Sequence, residues 1–227
     1  MDFRDKRLRT SLYLEIDGLN LVIDTGPDFR TQMLREAVPS LDAVLFTHEH
    51  KDHTAGLDDI RPFNFKQQMD IPLYGTRQVL EQIKGEFSYI FAKNKYPGVP
   101  RVLLNEISNS PFEIQGVRIT PIQVMHHKLP VFGFRIGDFT YITDANYISP
   151  EEIKKIKGTK ILVINALQIK PHISHFTLAE ALEFIALIAP EKAYLIHLSH
   201  QMGTHQEVSQ LLPPNVTIAY DGLKTTI

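Results

Sequence analysis

His48-Glu-His-Lys-Asp-His53 sets three imidazoles and two carboxylates into six consecutive residues, just after the apolar run Ala43-Val-Leu-Phe46. Imidazole nitrogens and carboxylate oxygens are the usual ligands of zinc and related divalent ions. His48 and His50 lie two apart on an extended segment, so both side chains can face one side. Asp52 and His53 follow where the chain turns toward a helix near Thr54. One ion takes about three protein ligands and a water, and this spacing leaves donors for a second ion. Glu49 and Lys51 read as spacers. A buried strand that delivers such a loop points to a hydrolytic metal site.

Composition narrows the setting. A chain of 227 residues, 43% hydrophobic, can bury a sizeable core, and a single domain is expected. The net charge of -2 and pI of about 6.5 give no general attraction to nucleic acid or anionic membranes. Cysteine is absent, which excludes disulfides and thiolate ligands within the chain. No apolar run approaches the roughly 18 residues of a membrane span. The charged start, Met1 to Thr10, lacks the apolar centre of a signal peptide. A cytoplasmic protein without a membrane partner is expected.

Periodicity and turn residues predict the elements. Ser11–Ile16 and Leu19–Asp24 flank Asp17-Gly18 as a hairpin. A helix is expected over 28–38, stopped by Pro39, then a buried strand over 42–47 and a helix over 76–84. Strands are expected over 114–124 and 132–143, turned at Gly116 and Gly137. Ser149 and Pro150 open a helix to Lys157. Lys160–Asn165 reads as a buried strand. Leu178, Ala181, Leu182, Ile185 and Ile188 recur at helical spacing within a helix over 177–189. Late strands are expected at 193–196 and 216–219, with a helix over 204–212. The stretch 85–101, rich in Phe, Tyr and Lys, is the least regular and reads as a surface insertion, with a lid or a homodimer contact as the alternatives. Hairpins mixed with strand–helix units suit two sheets with helices outside.

Further candidates end strands, as His48 does: His126, Asp144 and His197. In order, His48-x-His50-x-Asp52-His53, His126, Asp144 and His197, with Asp24 in Leu-Val-Ile-Asp24-Thr-Gly26, resemble the metal motifs of the metallo-β-lactamase superfamily. The likeness runs from about Arg7 to Gly222. Within it, His53-Thr-Ala-Gly56-Leu-Asp-Asp-Ile-Arg61, His126-x-Lys128-Leu, Tyr141-Ile-Thr-Asp144-Ala and His197-Leu-Ser-His200-Gln resemble the phosphoribosyl 1,2-cyclic phosphate phosphodiesterase group. His175, 22 residues before His197, matches that group's catalytic histidine.

The resemblance implies an α/β (α+β) fold of the four-layer αββα sandwich type. It implies two divalent metal ions, zinc, with manganese as the alternative. His48, His50 and His126 would bind one ion, and Asp52, His53 and His197 the other. Asp144 would bridge them, with Asp52 and His175 carrying the chemistry. Asp24 would orient a ligand imidazole. Arg61 and Lys128 are candidate phosphate contacts. His127, beside His126, competes for the ligand role, and the likeness favours His126. Such a pair of ions lowers the pKa of a bound water toward ~7 for attack on phosphorus. The substrate would be a small, cyclic or open phosphodiester. Hydrolysis of a carboxylic ester, thioester or lactam, or a catalytically impaired metal-binding role, are the alternatives. Transfer-RNA processing is disfavoured by the near-neutral charge.

Two departures stand out. Relatives carry an earlier strand with a Gly-Thr-Gly-Thr type loop and often a cysteine cluster that joins a histidine at the place of His200. This chain starts beyond that strand, so it is expected to lack the family's first strand. Asn165 stands where relatives usually carry Asp, which puts the tuning of the site in question.

Overall fold

A computed structural model describes residues 2–226. The chain forms two compact units, one of Arg9–Ser108 and the other of the residues up to Leu8 together with those from Asn109 onward.

In the first unit, β1 (Leu12–Ile16) and β2 (Leu19–Ile23) form the expected hairpin, with Leu12 opposite Ile23. Asp17 and Gly18 both take positive φ, 49° and 81°. That is the turn whose twist matches paired strands. From β2 the sheet continues in parallel through β3 (Ala43–Leu45), β4 (Ile71–Gly75) and β5 (Val102–Glu106), in the order β1-β2-β3-β4-β5. Helices α1 (Phe29–Arg35), α2 (Lys51–Thr54), α3 (Arg61–Gln67), α4 (Arg77–Glu86) and α5 (Ser88–Phe91) join the strands. Val22, Val44, Phe46 and Leu73 from the sheet side pack with Phe29, Leu57 and Ile60 in a buried core. The expected helix over 28–38 stops at Arg35, and Ala37 turns left-handed at φ 49° before Pro39.

Strands β4 and β5 were not anticipated. Ile71-Pro-Leu-Tyr-Gly75 holds two residues disfavoured in strands, and Pro72 lies opposite Leu103. Strand β4 alternates buried Ile71, Leu73 and Gly75 with half-buried Pro72 and Tyr74, and β5 lies at the end of the sheet with no buried residue, so parallel pairing rather than residue propensity defines these strands. The stretch 85–101 contributes the end of α4 and the short α5 before an exposed turn.

Close backbone approach brings the loop after β2 against α2. Thr25 N donates to His53 O at 2.8 Å and Gly56 N to Thr25 O at 2.8 Å. A Cβ on Gly56 would sit 2.1 Å from Gly26 O, and one on Gly26 would sit 2.4 Å from Asp52 O. Only glycine fits at either position.

The second unit holds β6 (Phe112–Ile114), β7 (Val117–His126), β8 (Leu129–Ile136), β9 (Phe139–Ile142), β10 (Tyr147–Ile148), β11 (Ile161–Asn165), β12 (Lys192–Ile196) and β13 (Val216–Ile218). Its sheet runs β10-β7-β8-β9-β11-β12-β13, with β6 paired to β7. Strands β9, β11, β12 and β13 are parallel, so their carboxyl ends share one rim. Helix α6 (Pro150–Ile156) starts where expected, with Ser149 accepting from Glu152 N. Helix α7 (Leu178–Ile188) begins in a full capping box between Thr177 and Glu180. It buries Leu178, Ala181, Phe184, Ile185 and Ile188. Each large apolar side chain among these contributes roughly 1.5–3 kcal/mol. Helix α8 (His205–Ser209) is shorter than the span expected. No helix among the described residues is long and apolar enough to cross a membrane.

Candidate metal centre

In the first unit the site grows from the ends of β2 and β3. Asp24 follows β2 in the left-handed region, φ 64°, and is fully buried. Its Oδ1 accepts from Thr47 N at 2.8 Å. Its Oδ2 accepts from the Thr47 hydroxyl at 2.7 Å and meets His53 Nδ1 at 2.7 Å. A carboxylate only accepts, so His53 carries a proton on Nδ1. The Thr47 hydroxyl has spent its proton on Asp24, so it accepts from His48 Nδ1 at 3.0 Å. One buried carboxylate therefore sets the tautomer of two imidazoles, leaving a lone pair on Nε2 of each. Metal ligation requires that form.

Those lone pairs converge. His48 Nε2 lies 3.0 Å from His50 Nδ1, and His53 Nε2 lies 3.6 Å from Asp52 Oδ2. The His48 ring centroid is 4.6 Å from that of His50 and 4.2 Å from that of His53. Two ring nitrogens at that separation need a cation or a proton between them. The donor set fits a divalent ion.

Glu49 and Lys51 are more than spacers. Gln78 Nε2 donates to Glu49 Oε1 at 2.6 Å, and Lys51 pairs with Glu86. Both partners sit on α4, so these alternate residues tie the loop outward while its histidines turn inward. Nothing in the sequence marked Gln78, Glu86 or Thr47 for these roles.

Asp24→Asn should lower metal affinity about 10- to 100-fold, the usual cost of losing an imidazole's orienting partner. The amide nitrogen would donate to His53 Nδ1 and drive the ring proton onto Nε2, the ligand atom. Competition against a chelator measures it, and unchanged affinity would remove Asp24 from this role.

In the second unit, His126 ends β7, Asp144 follows β9, His197 follows β12, and His175 lies in the connection from β11 to α7. His126 Nδ1 donates to Ser174 O at 2.9 Å, which again leaves Nε2 with its lone pair. Burial pushes the His126 pKa down, against the raising effects of the Ser174 carbonyl and Asp144, and so favours the neutral, ligating form. Asp144, buried and left-handed at φ 55°, has Oδ1 2.9 Å from His175 Nε2 and 3.3 Å from His197 Nε2. Its Oδ2 accepts from the Thr143 hydroxyl at 2.6 Å. The His175 and His197 rings stack with centroids 5.0 Å apart. His126, Asp144 and His175 offer ligand atoms all within 4.8 Å of one another.

Asn165 explains its own departure from Asp. Its Oδ1 accepts from Ala145 N at 2.8 Å and its Nδ2 donates to Ala145 O at 2.9 Å. A carboxylate could make only the first of these. The amide clamps the backbone immediately after Asp144.

His127 is exposed at φ 56° and forms a two-residue turn with Lys128, while His126 is buried and points inward. Lys128 is exposed at that turn, and Arg61 is exposed at the start of α3. Asp24, Asp144 and His197 all adopt left-handed backbone, at φ 64°, 55° and 54°. Non-glycine residues held there collect at functional sites.

Comparison with known proteins places these features. The model of the beta-lactamase superfamily domain matches residues 19–198. A protein named octanoyltransferase from Porphyromonas gingivalis (strain ATCC BAA-308 / W83) is 42% identical over all of this chain and 46% of its own length. The chain thus spans about half of that curated relative. The crystal structure of a diphosphatase from the PhnP family is 34% identical, with a TM-score of 0.92 over 100% of this chain and 87% of the other. The metallo-beta-lactamase fold protein YhfI from Bacillus subtilis is 22% identical, with a TM-score of 0.73 over 95% of this chain and 90% of its own, and so shares the fold.

Proposed function

This chain belongs to the metallo-β-lactamase superfamily, and on that premise we propose that it is a phosphodiesterase acting on a small phosphodiester. Its coarser class is that of a metal-dependent hydrolase, with histidine and aspartate donors grouped for divalent metal. The observation that carries the reading is the presentation of the imidazoles. His48, His53 and His126 each have Nδ1 held by the protein and Nε2 left as a donor. The likeness to a PhnP-family diphosphatase supports phosphorus, rather than a carbonyl, as the reacting centre.

The ligands in this proposal are His48, His50, Asp52, His53, His126, Asp144 and His197. Bound there, divalent ions of zinc or manganese would supply an acidified water and neutralise charge on phosphate oxygens. The chain's own part is orientation and proton handling. Asp24 and Ser174 hold the ligand rings in the tautomer that leaves Nε2 unprotonated. His175 Nε2 would give its proton to the departing alkoxide oxygen, a contribution typically of about 10²–10⁴ in rate. Arg61 and Lys128 would attract the substrate's phosphate charge. A cytoplasmic location is part of this proposal.

The test is turnover by the metal-loaded protein on bis(p-nitrophenyl) phosphate, a ribose cyclic phosphate and a dinucleoside diphosphate, with and without chelator. Metal-dependent hydrolysis of at least one is expected. Failure on all three would end the phosphodiesterase reading. A second reading, hydrolysis of an octanoyl ester or thioester, is favoured by the name of the Porphyromonas gingivalis relative. An octanoyl thioester in the same panel separates the two.

A further inference from the structure

Beyond the ligands, the second unit contains a histidine that neither the motifs nor the mechanism uses. His172 lies in the connection from β11 to α7, three residues before His175, and is exposed. An exposed histidine on a loop ordinarily turns both ring nitrogens to water. Here Nδ1 turns inward, 3.3 Å from His175 Nδ1, with the ring centroids 5.1 Å apart. Ser174 lies between them. Its N–H donates to His172 Nδ1 at 3.3 Å, which makes that nitrogen an acceptor. Its hydroxyl is 3.4 Å from His172 Nδ1 and 3.0 Å from His175 Nδ1. With the acceptor fixed on His172, the hydroxyl donates to His172 and accepts from His175 Nδ1–H, while His175 Nε2–H donates to Asp144 Oδ1, so that ring holds both protons, the form able to give one to a leaving oxygen.

The surrounding backbone is pinned for this purpose. Phe176 N donates to Ala145 O at 2.7 Å, and Asn146 Nδ2 donates to Ile173 O at 3.1 Å. The carbonyl of Ser174 is occupied separately by His126 Nδ1 at 2.9 Å. Ser174 therefore serves a ligand imidazole through its carbonyl and His175 through its hydroxyl, and the two functions use different atoms.

We propose that His172 is a positioning residue: acting through the Ser174 hydroxyl, it fixes the ring of His175 so that Nε2 faces Asp144 and the substrate. The proposal rests on the reading of His175 as the group that acts on the leaving oxygen. An imidazole pinned at Nδ1 loses its freedom to rotate about the bond that carries the ring. Small misplacement of a reacting group is costly in rate.

The experiment compares His172→Ala, His172→Asn and His175→Ala in the metal-loaded protein, with kcat, KM and bound metal measured for each. His172→Ala should lower kcat by roughly tenfold while leaving KM within about twofold. Its metal content should match that of the unaltered protein, because the Ser174 carbonyl still holds His126. His172→Asn should restore most of the rate, since Oδ1 stands where the imidazole has Nδ1. An unchanged kcat in His172→Ala overturns the proposal, as does loss of metal from that variant. Equal losses in His172→Ala and His172→Asn overturn it too, because the acceptor atom would then be irrelevant. Full turnover in His175→Ala is a different result: it removes the underlying reading of His175 and the proposal with it.

Discussion

Replacement of Asp144 by alanine should strip the protein of divalent metal and lower turnover by about 10³-fold or more, since ligand loss removes the ions that activate water and hold phosphate. Asp144 is the carboxylate on which the second cluster converges, with His175 Nε2 at 2.9 Å and His197 Nε2 at 3.3 Å from one oxygen. Thr143 holds the other oxygen at 2.6 Å, and Asn165 clamps the following peptide, so the carboxylate is aimed before any metal arrives. A buried carboxylate beside several imidazoles has no tolerable substitute among small apolar side chains. If the ions are shared at Asp144, as the family resemblance implies, alanine should empty both positions rather than one. Elemental analysis of protein purified in metal-replete medium reads this directly. About two equivalents retained in the variant would exclude a bridging role.

His175→Ala is expected to behave oppositely. Metal content should stay, and kcat should fall by about 10²–10⁴-fold, the range for loss of a proton donor. The geometry makes this a sharp test. His126, Asp144 and His175 could together form a ligand triad, with donor atoms within 4.8 Å of one another. If His175 were a ligand, its removal would deplete metal along with activity. If it acts on the leaving oxygen, metal and activity separate. The pair of variants thus assigns Asp144 and His175 to different roles by one measurement each.

The candidate donors were legible because they are marked by residue type and local spacing. His48, His50, Asp52 and His53 fall within one loop, and a buried strand followed by such a run admits few other uses. The downstream members were found as strand ends, and the structure puts His126, Asp144 and His197 at the ends of β7, β9 and β12. Helix α7 was legible for a similar reason, since its apolar period and its Thr177 cap are local signals. Strands β4 and β5 were not, because Pro72 and Gly75 lower the propensity of β4 while its parallel pairing to β3 and β5 overrides it, and β5 lies at the end of the sheet without a buried residue to mark it. The short α5 also escaped notice.

What stayed hidden was the support of the site. Thr47 looks like an ordinary strand-end threonine, yet it passes the influence of Asp24 to His48. Gly26 and Gly56 carry no local signal of this role, but their missing side chains let Thr25, Asp52 and His53 approach one another. Asn165 read as a lost charge and is a satisfied amide.

By itself, then, the sequence pointed to the candidate donors and their order along the chain, and to the class of fold that carries them. Those properties are written in residue chemistry and in periods of a few residues. Tertiary structure alone decided that His48, His53 and His126 each carry a proton on Nδ1, which oxygen holds it there, and that His172 faces His175. Each of these depends on hydrogen-bond partners brought together by packing and on left-handed backbone at Asp24, Asp144 and His197. A proton's position on a ring is fixed by the atom it meets, and the meeting exists only once the chain has folded.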